Sequence, residues 1–347
     1  MNWRSIRNLL WCAVAAAPAW GAVTISTTSP LPAAVVGAAY SQTLQATGGT
    51  PPYSWSATGV PAGLALASGG TLSGTPTAAG TQTLAVTVRD SSLNDVPATA
   101  SANLLLTVAT VPTLTLSGLP TTANQQALFT AAIGSAFPFA LSGTLTLTFV
   151  PSVGVVDDPN VQFVQSNASA GSRQVAFTIA AGSTTAVFAN GTTRLATGTT
   201  AGGIAIAPSA LSYGNGQGSG PPPLTVIPIR ATPPVITRVA ITNVSGGINV
   251  AVTGFSTPRD MTSATFHFTP TTGTTLAATD VTVPLTAPFA NWYASAASVA
   301  FGSQFTVTIP FTFQFSTGPI SIAPVAALTV TMTNSAGISA TSNPASP

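Results

Sequence analysis

The chain has 347 residues, and its charged residues amount to only 4%, where ordinary soluble domains carry about 25%. It contains no lysine and no glutamate, and outside the N-terminal pair Arg4 and Arg7 its arginines and aspartates are equal in number. That balance excludes an electrostatic case for nucleic acid or an anionic membrane as partner. The missing residue types exclude a Schiff-base lysine and a Lys–Asn isopeptide bond, and leave a paired-carboxylate glycosidase only aspartates to work with.

Residues 1–22 read as a secretory signal. Arg4 and Arg7 supply the positive start, Leu9 to Ala17 the short apolar run, and the small residues that follow place cleavage between Ala19 and Ala22. An N-terminal membrane anchor is the alternative, but the run is short for a spanning helix. Cys12, the only cysteine, lies inside that run behind Trp11 rather than behind a small residue. The exported chain then has no thiol, which removes a cysteine nucleophile and a thiolate zinc site. No later stretch offers 18 uninterrupted apolar residues. A membrane β-barrel would want aromatic girdles, and the aromatics, 7% of the chain, are not banded. The expected location is extracellular or at the cell surface, with the periplasm as the alternative.

A first domain is expected over 23–110. Ala22 to Ser26 and Tyr40 to Ala46 read as strands; Tyr53 and Trp55 share one face of a third. Leu84, Val86 and Val88 alternate on a fourth, and Ala102, Leu104, Leu106 and Val108 on a fifth. Pro61-Ala62-Gly63-Leu64 and Gly74-Thr75-Pro76 read as turns between them. Trp55 is the expected centre of this core.

These residues carry a resemblance. Gly48, Gly49, Pro51, Pro52, Tyr53 and Trp55, then Pro61, Gly63, Leu64 and Leu66, then Gly74, Thr75, Pro76 and Asp90 follow the pattern of the bacterial putative-Ig domain family. That family belongs to the cadherin-like β-sandwiches. The resemblance covers the first quarter of the chain and implies a sandwich used in adhesion, spacing or extracellular structure.

A second domain is expected over 111–230. Leu145, Leu147 and Phe149 alternate with threonines, and Val175, Phe177 and Ile179 repeat the scheme. The segment from Gly214 to Gly220 reads as a flexible loop, stiffened by Pro221-Pro222-Pro223. A third domain, 231–347, opens at Pro233-Pro234, read as a hinge or spacer. In it Ile248, Val250 and Val252 alternate, as do Phe305, Val307, Ile309, Phe311, Phe313 and Phe315, and then Leu328, Val330 and Met332. Pro310 makes the phenylalanine-rich run an edge strand or breaks it in two. No helix is expected after residue 22. The fold class is all-β: tandem immunoglobulin-like β-sandwiches after a signal peptide.

Candidate sites are few. Asp90, Asn94 and Asp95 cluster oxygen ligands after a core strand, so calcium is the one cofactor they point to; a hydrogen-bonded strand-end loop is the plainer reading. Asp157-Asp158 is a second pair, but neighbours on a strand point to opposite faces. His267 is the only histidine; its alternation with Phe266 and Phe268 turns it to solvent, and the bland reading outweighs a triad base. Trp292 and Tyr293 are the best candidates for a glycan-stacking platform. The expected function is therefore non-enzymatic, with other surface or matrix proteins or glycans as partners. The alternatives are a glycan-binding module and a self-assembling surface subunit, the latter because few charges guard the strand edges.

Overall fold

The computed structural model describes residues 22–92, 98–152, 157–214, 216–217, 224–313 and 325–347. The chain divides into two compact units, residues 1–111 and 112–347.

In the first unit the alternation read from the sequence places the core. Leu84, Val86 and Val88 are fully buried on the strand Gly80–Arg89, which pairs antiparallel with Thr99–Ala109 on one side and Ser54–Thr58 on the other. Ala34–Val35 adds to the far side of Thr99–Ala109 in parallel. A second sheet orders Tyr40–Thr43, Thr71–Gly74 and Leu64–Leu66, and Trp55 lies in the core with Leu72, Leu104 and Leu106. Two expectations need correction. The run Tyr40 to Ala46 is not one strand: after Thr43 the buried Leu44 turns the chain, and Ala46–Thr47 pairs with Thr24–Ile25 instead. The two turns also carry short strands, held because Gly63 and Thr75 meet backbone to backbone (Thr75 N–H to Gly63 C=O, 2.9 Å). Gly63 has φ +88°, and a Cβ there would strike the Thr75 carbonyl, so only glycine fits.

The second unit holds two sandwiches. In one, Leu141–Pro151 is the central strand, paired with Gln174–Ile179 and Gly202–Pro208, and Thr225–Ile229 closes that side of the sheet. Facing it are Gln126–Leu128, Thr193–Thr197 and Val161–Gln165. The rings of Phe129, Phe163 and Phe188 meet between the layers, 5.4–5.7 Å apart. In the other, Val235–Val244, Gly247–Phe255 and Gln304–Thr312 face a sheet built on Ser263–Pro270 and Val325–Asn334. Ile248, Val250, Val252, Leu328, Val330 and Met332 are fully buried between them. Among the described residues Gln304–Thr312 lies at the edge of its sheet, one of the two outcomes that its proline allowed. Phe315, Pro221-Pro222-Pro223 and most of the Gly214–Gly220 stretch lie outside the described residues.

The expectation of no helix is wrong. Thr286–Ala294 is α-helical and Ala296–Phe301 is a 3₁₀-helix, together linking Asp280–Pro284 to Gln304–Thr312. Pro288 is tolerated because the first turn has no intrahelical use for its N–H. Phe289 and Tyr293, four residues apart, form the buried stripe. Nine residues with two buried positions are too few for the helical period to stand out against the surrounding alternation.

The C-terminal residues close a sheet edge without charge. Ser339 Oγ accepts the Met332 N–H and Ser342 Oγ accepts the Val330 N–H, both at 2.9 Å, while Leu328 and Ala345 exchange backbone bonds. Hydroxyls here satisfy donors that would otherwise be open to another strand.

Candidate binding site

The two sandwiches of residues 112–347 meet through buried polar groups. Asp158 is fully buried. Its Oδ2 accepts the N–H groups of Thr199 (2.8 Å) and Thr200 (3.0 Å), and its Oδ1 accepts the Asn160 N–H (3.0 Å). Across the junction lies Gly302, at φ +59°, so close that a Cβ there would stand 2.5 Å from Asp158 Oδ2. The next residue ties the halves directly: Ser303 N–H donates to Thr199 Oγ1 (3.0 Å) and Ser303 Oγ to the Thr199 carbonyl (2.6 Å). Ala201 N–H reaches the Thr257 carbonyl at 2.8 Å. Thr200 Oγ1 is buried beside this cluster and has no hydrogen-bond partner among the described residues.

Arg259 organises the far side. It donates to the carbonyls of Gly302 and Tyr293 and to Ser298 Oγ, the last two at 2.9 Å, and its guanidinium lies 4.7 Å from the centre of the Tyr293 ring. Burial lowers this guanidinium from its ordinary value, against the pull of Tyr293 and Asp158. Burial likewise raises the Tyr293 phenol, whose O–H donates to the Ser303 carbonyl at 2.7 Å. Pro233-Pro234 does not hang free at this junction: the Thr232 N–H just before it reaches Thr257 Oγ1 at 2.7 Å, and Asn334 Nδ2 holds the Thr232 carbonyl at 2.9 Å. The prolines line a groove of about 700 Å³ shared with Thr122 to Gln125, Phe255 and the C-terminal residues.

Next to the junction is a smaller cavity of about 400 Å³, lined by Thr253, Trp292, Phe301, Gln304, Phe305 and Thr306. Here the two residues expected to form a glycan platform separate. Tyr293 is buried at 7% exposure and serves the core. Trp292 is half-buried, with its indole N–H toward the Gln304 carbonyl at 3.4 Å. Its ring partner is Phe301, 50% exposed, with ring centres 5.9 Å apart and planes tilted by 44°. Phe301 and Arg259 are not legible in the sequence, and Asp158 stands out there only as half of an aspartate pair; an exposed phenylalanine leaves no periodic trace, and Asp158 and Arg259 take up their roles only through the fold.

Asp90 is where a calcium ligand was expected, but its oxygens face inward. Oδ2 accepts the Thr50 N–H at 3.0 Å; Oδ1 accepts Ser92 Oγ–H and the Ala98 N–H, both at 2.8 Å. The Thr50 N–H above all, with Ser92 and Ala98, holds this carboxyl below the ordinary carboxylate range against the opposing effect of burial. This clasp accounts for Asp90 as a strand-end loop. Asn94 and Asp95 lie outside the described residues. Asp157 and Asp158 diverge, the first exposed and paired with Arg173 at 2.7 Å. His267 is exposed on the threonine face, and its Nδ1 meets Oδ1 of the cross-strand Asp280 at 2.8 Å. The hydrogen bond to His267 lowers the Asp280 carboxyl from its ordinary value.

Paired antiparallel sheets around continuous apolar cores make this an all-β protein of tandem Ig-like sandwiches. Residues 22–109 match the family model described as Putative Ig domain. No curated protein matches the chain in sequence. Among solved structures it is similar to FdeC, a broadly conserved Escherichia coli adhesin, at 14% identity over 91% of this chain and 92% of that one, TM-score 0.25. The chicken CNTN1 FN1–FN3 domains are similar at 11% identity over 94% of this chain and 96% of that one, TM-score 0.23. A putative alpha-galactosidase from Bacteroides fragilis is 22% identical over 26% of this chain, which spans only 18% of that one, TM-score 0.23.

Proposed function

We propose that this is an exported, non-catalytic protein of adhesin type, which attaches or spaces at the cell surface or in the surrounding matrix. The observation that supports this most is the junction in residues 112–347. Ser303 donates twice to Thr199 across it and the Ala201 N–H reaches the Thr257 carbonyl, while Asp158 and Arg259 brace the segments on either side, an arrangement that supports a stiff spacer. The titratable groups in and around it serve that joint: Asp158 holds backbone N–H groups, Arg259 holds carbonyls and Tyr293 holds the Ser303 carbonyl. A surface with hydroxyls in place of ions suits partners that are themselves neutral, since desolvating a charge against them would cost binding energy.

The test is surface labelling of intact source cells with an antibody to the chain, paired with attachment of wild-type and deletion strains to a matrix-coated surface. Labelling outside the cell and weaker attachment of the deletion strain are expected. Protein confined to the cytoplasm, or attachment unchanged by the deletion, would overturn the reading.

A further inference from the structure

We propose that the cavity between Trp292 and Phe301 binds one ring of a neutral saccharide. This deepens the adhesin reading by naming the ligand class of one of its sites.

Phe301 is 50% exposed at the end of its 3₁₀-helix and stands beside the half-buried Trp292, so the pair presents a shared aromatic surface. Tilted by 44° at 5.9 Å, the two rings form an open wedge rather than a closed stack. The axial C–H faces of a pyranose carry slight positive charge, and the face of an aromatic ring is negative, so such a ring seats on an indole face. The wedge is held in place from behind. The Trp292 N–H is turned to the Gln304 carbonyl, and Gly302, directly after Phe301, is fixed by Arg259 and Asp158.

The floor supplies the polar half of the recognition. Thr253 and Thr306 face each other across two strands with their hydroxyls 3.1 Å apart, and the exposed Gln304 side chain brings both a donor and an acceptor. Hydroxyls and an amide can each donate or accept, which matches the mixed character of sugar hydroxyls. All six lining residues are uncharged, so a carboxylated or sulfated sugar would lose hydration with no counter-charge in return. At about 400 Å³ the cavity falls low in the range of about 300–1,000 Å³ for small-molecule sites, suited to one ring of a chain that continues into solvent.

The experiment is isothermal titration calorimetry of the full chain with cellohexaose, mannohexaose, xylohexaose and chitohexaose, and with polygalacturonate as the charged comparison. At least one neutral oligosaccharide should bind with Kd at or below about 1 mM, the weak end of specific recognition. Trp292→Ala should weaken that binding by about tenfold or more, in the range seen for removing a stacked ring. Phe301→Ala, at an exposed position, should weaken it while leaving the melting temperature unchanged, so a folding defect in the Trp292 variant cannot hide the answer. Absence of binding to every neutral oligosaccharide, binding that both variants leave intact, or preference for polygalacturonate would overturn the proposal. Surface labelling and attachment are read without any saccharide, so failure here leaves the adhesin reading to its own test.

Discussion

Replacing Gly302 by alanine strikes the junction with the smallest chemical change available. At φ +59° and ψ −115° the backbone is in a region essentially reserved for glycine, outside the left-handed α well, which costs about 1–3 kcal/mol for a residue with a Cβ. Its methyl would also lie 2.5 Å from Oδ2 and 2.7 Å from Oδ1 of Asp158, too close for either atom to stay. Asp158 has nowhere to go: it is fully buried, and Oδ2 holds the Thr199 and Thr200 N–H groups. Losing one hydrogen bond to a buried charged group costs about 1.5–3 kcal/mol. Strain and lost bond together predict that Gly302→Ala destabilises residues 112–347 by about 2.5–6 kcal/mol. Trp3, Trp11, Trp20 and Trp55 precede residue 112 and Trp292 alone follows it, so a guanidinium titration of residues 23–347 carrying Trp55→Phe reads this unit by fluorescence. A loss below about 1 kcal/mol, within what ordinary surface changes produce, would refute the claim that Gly302 is pressed against an immovable carboxylate.

Other predictions follow from the same contacts. Trp55→Ala should cost about 3–5 kcal/mol, as large-to-small aromatic core changes do; a loss under about 1 kcal/mol by denaturant titration would show that this ring is not central to the first core. Ser303→Ala leaves the buried Thr199 carbonyl without its hydroxyl donor and should cost about 1–3 kcal/mol by the same titration, whereas a neutral result would mean that water replaces the hydroxyl. Asp90 and Asp280 both have carboxyls lowered in the folded state, so the stability they confer is present above the ordinary aspartate range near pH 3.9 and is lost as pH falls through their lowered values. Melting temperature should therefore drop below about pH 4, and the drop should shrink in Asp90→Asn; an unchanged acid limb would contradict the clasp. Calcium calorimetry should show no saturable heat at about millimolar ion, because Asp90 already holds three protein donors; saturable binding abolished by Asp95→Asn would favour the metal site instead.

The core was the legible part of this chain. Leu84, Val86 and Val88, or Ile248, Val250 and Val252, are apolar at every second position because one face of each strand is sealed, and a period of two survives any tertiary detail. The edge position of Gln304–Thr312 was legible only as one of two outcomes, since Pro310 lacks the donor a central strand needs and can equally break a run in two. The junction was not. Asp158, Arg259 and Gly302 lie far apart in sequence, and nothing near Asp158 says that its carboxylate will be buried under a glycine of another sandwich. The short helix hid its period, and so Trp292 and Tyr293, which look alike on a strand or loop, ended in different roles. Helical geometry sent one to the surface and the other beneath Arg259.

The stiff-spacer account rests on residues 112–347 behaving as one body, and native-state hydrogen exchange across low denaturant tests this most directly. The account predicts that the most protected amides of Leu141–Pro151 and Val325–Asn334, one strand from each sandwich, exchange through the same opening with the same free energy and denaturant dependence. If one strand exchanges through an opening that leaves the other protected, the two sandwiches are independent beads and the spacer account is contradicted.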